Sequence, residues 1–562
     1  MIDQSGELAE PGVVPAARQG DEPRPQRPGP VGRIAALSPA RLRAAALILI
    51  GTATLFYLYL KVAETAAINS DGSNNALQAW DLLHGHLLLH GWVIGDATYY
   101  TFELPIFALC EGVFGLGSEA IHVGDAVIYL LVVVMAALLA CRKTSGRTAL
   151  VRCCIVAAMM AVPITVATIL VMLNAPDHIG TCAILLGAVY LADLVKDSKR
   201  SAAESTAATG RRSYLPVWLG VVLTLGQLGD QTVLYVGSFS IGLIGAYRMV
   251  RARGYRNADG AILLASVLSY PAALLLRHLL RALGGYTMIP PLTQIAPPHL
   301  WWSNFQFTYH NLAIVYGIDP GHLGRSTVAG STVLGWISAA AALAGFLRVI
   351  VRWNTVGRGA QILCTAIVVN LASYTVSAIA DASNAREIVF TLPAGCVLAA
   401  MAWRGPLLER RRAVFPAALA LAAAAVVPSA VTAGNSTADT RDIVLSAWLQ
   451  AHHLTYGIGG YWDASSVSVQ SGGAVQVRAV LLYQGRFLGY SWEARANWYD
   501  PAENDATFYI TNPFDSDGPV TPAEVEAVYG PPTAIYTVDT RMILVYDQNL
   551  LTKVRPLVAG TG

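Results

Sequence analysis

The chain contains 562 residues, of which 54% are hydrophobic and only 13% are charged, and its mean hydropathy is +0.48. Soluble domains carry about 25% charged residues, so this composition excludes a soluble globular protein, a disordered chain and a nucleic-acid-binding protein. The formal net charge of +2 combines 38 basic with 36 acidic residues, and most of the basic residues lie between apolar segments. These features predict a polytopic α-helical membrane protein.

The predicted elements begin with residues 1–41, which are rich in Pro, Gly and Arg and are expected to form a disordered cytoplasmic tail. The apolar runs that follow are long enough to cross a bilayer, which requires about 17–25 residues. They number eleven: 42–60, 122–141, 149–172, 179–195, 214–229, 231–250, 259–283, 329–350, 360–380, 387–403 and 413–433. Together they predict a transmembrane domain over residues 42–433.

Basic residues predict the orientation of these helices, because Lys and Arg concentrate in cytoplasmic loops. The loops on one side of the predicted membrane carry most of them, among others Arg142, Lys143, Lys196, Arg211, Arg251, Arg352 and Arg410. The N-terminus is therefore expected in the cytoplasm, and an odd number of spans places the C-terminus outside. The Arg-rich, Lys-poor composition is typical of a bacterium with a GC-rich genome, so a plasma-membrane location is expected.

Two predicted outer loops, 61–121 and 284–328, are too long to be simple connectors. In the first, residues 81–92 have the pattern of an amphipathic helix lying at the membrane interface. Residues 103–117 are apolar but too short to span, so they predict a second interfacial helix. The second loop contains two Pro-Pro pairs, which exclude a continuous helix.

Residues 434–562 are polar, aromatic and acidic, with thirteen acids and seven basic residues. We predict a helix over 439–453, followed by strands in segments with alternating polarity. Those segments are Ser466–Gln470, Val475–Leu482, Phe508–Ile510, Ala534–Val538 and Met542–Tyr546. This part of the chain is therefore expected to form a small α/β domain outside the membrane.

Ionisable residues at the predicted outer membrane face are the candidate functional residues, because a charge near lipid is costly and usually serves a function or a partner. Those in the first two outer loops are Asp71, Asp96, Glu103, Asp177 and His178. Those near outer helix ends are Arg277, Arg281 and Arg386. Arg277 and Arg281 are four positions apart and so share one helix face.

The order of these residues resembles the GT-C class of integral-membrane glycosyltransferases, in particular the protein mannosyltransferases and the lipid A aminoarabinose transferases. Asp71 matches the acid after the first helix, and Phe102-Glu103-Leu104-Pro105 resembles the later Glu-Lys-Pro-Pro element of that class. Asp177 resembles the acid of the second outer loop, and Arg386 a late arginine. The sequence departs from the class in Gly72, where an acid is common, and in Leu104, where the class has lysine.

The resemblance implies transfer of a sugar from a polyprenyl-phosphate donor to an acceptor hydroxyl on the extracytoplasmic side, with inversion at the anomeric carbon. Asp71 would act as the general base, and Asp96, Glu103, Asp177 and His178 would contact substrate. The lipid phosphate would be bound by the arginines, whose permanent charge and forked donors suit it; they are Arg277, Arg281 and Arg386. The acceptor could be a lipid, a glycan or a protein. No cofactor is certain, although acidic outer loops could bind a divalent metal ion through oxygen.

Structural roles remain open for the same residues. Asp71, Asp96, Glu103 and Asp177 could be turn or helix-capping acids. Arg277 and Arg281 could extend to lipid headgroups, and Arg386 could pair with Asp381.

Two other functions also remain open. A transporter or lipid flippase would place charges near the midplane of the membrane, and Asp125, Asp193 and Asp230 are candidates for such charges. A membrane-anchored binding module would place the function in residues 434–562.

Overall fold

A computed structural model describes residues 39–161, 165–174, 178–195, 214–252, 258–289, 294–318, 326–403, 440–515 and 518–555. By their contacts, the described residues up to Gly51 belong to one compact unit and those from Thr52 onward to another. The helices and the C-terminal sheet described below belong to the second unit, apart from the first part of α1. The predicted disordered tail lies almost wholly outside the described residues, and α1 begins at Pro39.

The first half of the chain is helical. Its helices are α1 (Pro39–Ala63), α2 (Ser70–Leu83), α3 (Glu103–Phe114), α4 (Ser118–Cys141), α5 (Gly146–Met160), α6 (Val166–Met172), α7 (Ile179–Leu194), α8 (Leu215–Gly229), α9 (Ser240–Arg251) and α10 (Ala258–Ala282). A π-helical segment, Val233–Phe239, leads into α9. The later helices of the membrane region are α11 (Trp301–Val315), α12 (Ser326–Val351), α13 (Arg358–Val376) and α14 (Thr391–Ala402), with a 3-10 turn at Ala385–Ile388 before α14.

Six helical segments in the described part of the chain are long and apolar enough to cross a membrane, and the chain is a multi-pass membrane protein. They are Ser118–Cys141, Val233–Arg251, Ala258–Ala282, Thr332–Val351, Arg358–Val376 and Ala385–Ala402. Shorter apolar helices are Ile48–Ala63, Ile179–Leu194 and Leu215–Gly229. The predicted number of eleven spans is not confirmed. The predicted run 149–172 is divided between α5 and α6, and the predicted run 413–433 lies outside the described residues.

Small residues bring the membrane helices close together. At Gly345 in α12, an added Cβ would lie 2.6 Å from the backbone nitrogen of Ala399 in α14, so the two backbones are nearly in contact. Membrane helices pack in this way because lipid provides little hydrophobic driving force between them. The resulting core is rich in Ala, Val and Leu from α4, α5, α7, α13 and α14.

The two long loops that were predicted to lie outside the membrane, 61–121 and 284–328, are joined to the C-terminal region by a three-stranded sheet. Strand β1 (Trp92–Ile94) pairs in parallel with β2 (Thr287–Met288) and antiparallel with β6 (Ala494–Arg495). An ion pair supports this junction, because Arg495 Nη1 lies 3.1 Å from Asp81 Oδ2 at the end of α2. The sheet therefore ties the C-terminal domain to both loops, the first of which carries Asp71, Asp96 and Glu103.

The helix of the first outer loop lies earlier than predicted. The prediction of a helix over 81–92 is wrong, because α2 begins at Ser70 and ends at Leu83. Asn69 caps its start by accepting a hydrogen bond of 2.8 Å from the Gly72 amide. Gly85 then takes a φ of +90°, a conformation that glycine adopts without strain and that stops the helix from continuing. The interfacial helix predicted over 103–117 corresponds to α3.

The C-terminal region contains helices and a mixed seven-stranded sheet in the order β10-β5-β4-β3-β7-β9-β8. The strands are β3 (Tyr456–Gly459), β4 (Gln476–Tyr483), β5 (Arg486–Gly489), β7 (Phe508–Thr511), β8 (Ala534–Val538), β9 (Arg541–Val545) and β10 (Val554–Arg555), and the helices are α15 (Arg441–Ala451), α16 (Tyr461–Gln470) and α17 (Pro522–Tyr529). The strand predicted at Ser466–Gln470 is wrong, because those residues belong to α16. The other predicted strands are present.

Candidate active site

Asp71 lies in the first turn of α2, where the capped helix N-terminus favours a negative charge. Its carboxylate is held from two sides. Arg386, in the 3-10 turn before α14, places Nη1 3.6 Å from Asp71 Oδ2. Tyr461, the first residue of α16, donates a hydrogen bond of 2.5 Å from its hydroxyl to Asp71 Oδ1. The first outer loop, a late membrane helix and the C-terminal domain therefore meet at this carboxylate.

Helix α16 is fixed to α2 by further polar contacts. The Ser70 hydroxyl donates to the Tyr461 carbonyl at 2.5 Å, and the Ser465 hydroxyl donates to Asn74 Oδ1 at 2.5 Å. Tyr461 also stacks on Tyr490, with ring centroids 4.8 Å apart. Burial raises the pKa of the Tyr461 hydroxyl well above its ordinary value, so it remains a hydrogen-bond donor at neutral pH. The position of this donor is thus fixed by contacts along the whole N-terminal part of α16.

A second group of charges surrounds His178. Its Nδ1 lies 2.6 Å from Asp230 Oδ2, and its Nε2 lies 3.5 Å from Glu387 Oε1. The Thr181 hydroxyl donates to Asp230 Oδ2 at 2.5 Å, and the Thr232 amide donates to Oδ1 at 2.8 Å. Glu387 follows Arg386 in the chain. The cluster of charges around His178 therefore adjoins the cluster around Asp71.

The ring of His178 is positively charged in this environment. Burial opposes the charge, but Asp230 and Glu387 outweigh burial and raise the pKa of His178 well above its ordinary value. Burial also opposes ionisation of Asp230, yet the His178 charge and hydrogen bond, with bonds from Thr181 and Thr232, lower its pKa to about 2. The pair is therefore an imidazolium facing a carboxylate. The backbone of His178 adopts a left-handed φ of +61°, and such conformations concentrate at functional sites.

Asp96 belongs to the same group. The loop that carries it docks on the end of α8, where the Thr98 amide donates to the Gly229 carbonyl at 2.7 Å. Burial raises the pKa of Asp96, the charge of His178 opposes this, and Glu387 adds to it. Asp96 is an exposed residue whose carboxyl group is close enough to His178 and Arg386 to feel the charge of both.

Glu103 is a buried carboxyl group at the start of α3, with only 2% of its surface exposed. An added Cβ on Gly180 of α7 would lie 2.3 Å from Glu103 Oε1, so the side chain fits against a helix surface without a side chain. Burial, with a contribution from the charge of Asp230, raises the pKa of Glu103 to about 8. At neutral pH this group is therefore mostly a neutral acid, which can donate a hydrogen bond.

The remaining predicted site residues lie apart from Asp71 or outside the described residues. Arg277 donates to the carbonyl of Gln227, near the Asp230 end of α8. Arg281 is exposed. Within the described ranges, neither arginine forms a hydrogen bond or an ion pair with Asp71 or Arg386. Asp177 lies outside the described residues, so its predicted role is not tested.

Metal binding was left open by the sequence. Across the residues that the structure describes, no group of three or more His, Cys, Asp or Glu side chains is placed to hold a metal ion. The segment that contains Asp177 is not among them, so the possible divalent ion remains a prediction without a test.

Three contributors to the site were not predicted from the sequence: Tyr461, Asp230 and Glu387. Asp230 did stand out as a charge between two apolar runs, and Glu387 is adjacent to the predicted Arg386. The charge of Asp230 interrupts an apolar run, and the π-helical segment Val233–Phe239 follows it. Short π-helical segments often occur at functional sites, so a charge in this position is a useful signal. Tyr461 carried no signal of this kind.

Comparison with known proteins gives similarity in fold alone. No protein-family model matches the chain, and no curated protein matches it by sequence at a significant level. The crystal structure of ArnT from Cupriavidus metallidurans in the apo state is similar with a TM-score of 0.56 at 11% identity, covering 92% of this chain and 100% of that chain. The same protein bound to undecaprenyl phosphate gives 0.54 at 12% identity, covering 92% and 99%.

The oligosaccharyltransferase of Archaeoglobus fulgidus is a more distant match, with a TM-score of 0.42 at 11% identity, covering 82% of this chain and 69% of that chain; this similarity is too low to support an argument. ArnT is a lipid A aminoarabinose transferase and a GT-C glycosyltransferase. The resemblance predicted from the order of acids and arginines is therefore confirmed at the level of the fold alone: the chain is similar in fold to ArnT.

Proposed function

We propose that the protein is a membrane glycosyltransferase that moves a sugar from a polyprenyl-phosphate donor to an acceptor hydroxyl on the extracytoplasmic side. The observation that carries this proposal is the pairing of Asp71 with Arg386, 3.6 Å apart, in a fold shared with ArnT. A carboxylate that can accept a proton and a permanent cation that can bind phosphate are the two groups that this transfer needs.

In the proposed reaction, the acceptor oxygen attacks the anomeric carbon of the donor sugar and forms the new glycosidic bond. The bond between that carbon and the phosphate oxygen breaks, and its electron pair leaves with the polyprenyl phosphate. The hydroxyl proton passes to Asp71, the general base. Arg386 stabilises the charge that develops on the leaving phosphate, and attack opposite the phosphate inverts the anomeric configuration.

An apolar groove near Arg386 supports a lipid-linked donor. It has a volume of about 380 Å³ and lies between α11, α12, α13 and α14, with Tyr316, Trp336 and Thr391 among its lining residues. Thr391 begins the helix that follows the Arg386 turn, so a polyprenyl chain in the groove would have its phosphate end near the arginine. The undecaprenyl phosphate bound to the similar ArnT supports this choice of donor.

The transporter alternative is weakened by the surroundings of two of the three charges on which it depended. Asp193 lies 3.4 Å from Lys143 and also pairs with Arg142. Asp230 is engaged by His178. Both carboxylates therefore have fixed partners in the folded protein.

The test is sugar transfer by the full-length protein in lipid nanodiscs, assayed with a panel of polyprenyl-phosphate sugars. Asp71→Asn keeps the shape of the side chain but removes the base, so we expect transfer to fall by about 10²–10⁴-fold. Glu119→Gln is the control, because Glu119 is an exposed acid in the first turn of α4. Full activity of Asp71→Asn would exclude Asp71 as the base, and no transfer by the wild type with any donor would contradict the proposed function.

A further inference from the structure

A cavity of about 610 Å³ lies beside the Asp71 site, between the membrane region and the C-terminal domain. On the membrane side it is lined by the segment that joins α1 to α2, which ends at Asn69, and by part of α6. On the other side it is lined by Trp462, Asp463, Asn512 and Arg541. Its volume falls in the range of about 300–1,000 Å³ that is typical of ligand sites.

The chemistry of the lining favours an uncharged polar ligand. The charged lining residues are two arginines and two aspartates, Arg441, Arg541, Asp442 and Asp463, so the cavity has no excess of either charge. These groups also neutralise one another, since Arg541 Nε lies 2.6 Å from Asp463 Oδ1 and Arg541 Nη2 lies 2.6 Å from Asp442 Oδ1. A phosphate or another anion would find no surplus of positive charge here.

Aromatic and planar polar groups line the same cavity. Trp462 and Phe514 offer ring faces, and Phe514 is 73% exposed. Asn512 donates a hydrogen bond of 2.8 Å to Asp463 Oδ2, which holds its amide in place. Aromatic faces pack against the C–H surfaces of a sugar ring, while amide, carboxylate and guanidinium groups pair with its hydroxyls.

Two buried donors of the lining residues lack hydrogen-bond partners among the described residues. They are Nε1 of Trp462 and Nη1 of Arg541, which is a 6% exposed residue. A buried donor without an acceptor is energetically unfavourable, so these positions favour a ligand that brings oxygen atoms. Hydroxyl groups meet this need without adding charge.

We propose that this cavity binds a neutral saccharide, and that the saccharide is the acceptor of the transfer reaction. The second statement rests on the proposed function. Two lining residues are close in the chain to groups of the reaction site: Asn69 is two residues before Asp71, and Trp462 follows Tyr461, whose hydroxyl contacts the Asp71 carboxylate. The rings of Tyr461 and Trp462 meet edge to face at 5.1 Å. A glycan held on Trp462 can thus extend one hydroxyl toward Asp71.

The test measures ligand binding to the full-length protein in nanodiscs by saturation-transfer-difference NMR. The probes are neutral gluco-, manno-, galacto- and arabino-disaccharides, with an unstructured Ser/Thr-rich peptide as a competing class of acceptor. Undecaprenyl phosphate binding is measured separately. We expect at least one disaccharide to bind, and Phe514→Ala and Trp462→Ala each to raise its Kd about tenfold without changing the affinity for undecaprenyl phosphate.

The control is Trp448→Ala, which removes a half-buried tryptophan of α15 that stacks on His452 and does not line the cavity. Phe514→Ala keeps the test valid if Trp462→Ala fails to fold, because Phe514 is exposed. The inference is overturned if undecaprenyl phosphate binds and no disaccharide does, if only the peptide binds, or if both cavity variants bind saccharide like the wild type. Saccharide binding without undecaprenyl phosphate binding or transfer would support the cavity but contradict the proposed function.

Discussion

Tyr461 and Asp71 are 390 positions apart in the chain, and the Tyr461 hydroxyl donates a hydrogen bond of 2.5 Å to Asp71 Oδ1. The C-terminal domain therefore contributes a side chain to the site that the membrane region builds. This hydrogen bond holds the Asp71 carboxylate in one orientation. In the proposed reaction Tyr461 is a positioning residue, because it acts through the general base.

Replacing Tyr461 by Phe tests this role through the pH dependence of transfer. The carboxylate would lose a hydrogen bond that favours its charged form, so the acid limb of the profile of kcat/KM against pH is expected to move to higher pH. Activity at pH 6 should fall, and activity at pH 8 should recover toward that of the wild type. A purely structural role for Tyr461 would lower activity at every pH by the same factor.

The matched control is Tyr529→Phe. Tyr529 is a buried tyrosine of the same domain, and its hydroxyl has no hydrogen-bond partner within the residues that the structure describes. Its substitution should leave the pH profile in place. If Tyr461→Phe and Tyr529→Phe gave the same profile as the wild type, the hydrogen bond to Asp71 would have no effect on the reaction.

Arg386→Ala is expected to weaken the affinity for undecaprenyl phosphate by about 10–100-fold, because one charge-assisted contact to phosphate contributes about 1.5–3 kcal/mol. The measurement is a binding titration of the full-length protein in nanodiscs. Arg352→Ala removes an exposed arginine beyond the end of α12 and should bind like the wild type. Unchanged affinity in Arg386→Ala would remove this arginine from the donor site. Arg281→Ala, in the same assay, tests whether the predicted phosphate site extends to α10.

Gly180 is expected to be required for the position of Glu103. An alanine there would place its Cβ 2.3 Å from Glu103 Oε1, so the α3–α7 contact must open, at a cost of about 1–3 kcal/mol. At Gly187, on the same helix, an added Cβ would meet only Met135 Cε, at 3.6 Å. Gly187→Ala should therefore be neutral or slightly stabilising, since alanine favours helix. Equal melting temperatures for the two variants would contradict the close contact.

The sequence predicted the apolar helices and most C-terminal strands because hydrophobic periodicity is a local signal. It failed at Ser466–Gln470, where Ser and Val alternate as they do in a strand. In the structure α16 lies between α2 and the sheet, and residues 463–469 are all buried. The helix has no exposed polar face here, so its sequence lacks the alternation of polar and apolar residues by which an amphipathic helix is recognised. Tertiary packing decided the structure of this segment.

The candidate site was predicted in part for a similar reason. Asp71 and Arg386 stand out locally as charges beside apolar runs, and the structure brings them together. The partnership of Tyr461 with Asp71 depends on how the C-terminal sheet docks on the outer loops through β1 and β6. A single sequence gives no signal for a contact between residues so far apart in the chain, so the role of Tyr461 could be found only from the structure.

The contribution of the His178–Asp230 pair to the stability of the protein should decrease at both high pH and low pH. The pKa of His178 is raised, so its contribution is complete below about pH 6.5 and is lost as pH rises through the native pKa. The pKa of Asp230 is lowered to about 2, so its contribution is complete above about pH 4 and is lost as pH falls toward 2. The stabilisation by the pair is therefore greatest between about pH 4 and 6.5.

Asp230→Asn should weaken this dependence, because it leaves the buried His178 with only Glu387, at 3.5 Å, as a charged partner. Breaking such a pair costs about 3–5 kcal/mol, so a lower melting temperature is expected near pH 5.5, with a smaller difference from the wild type at alkaline pH. Thermal unfolding followed by intrinsic fluorescence from pH 4 to 10 measures both effects. Asp539→Asn, in an exposed turn of the C-terminal domain, should reproduce the wild-type curve. If the melting temperature of Asp230→Asn instead differed from that of the wild type by the same amount at every pH, His178 and Asp230 would not be coupled in the folded protein.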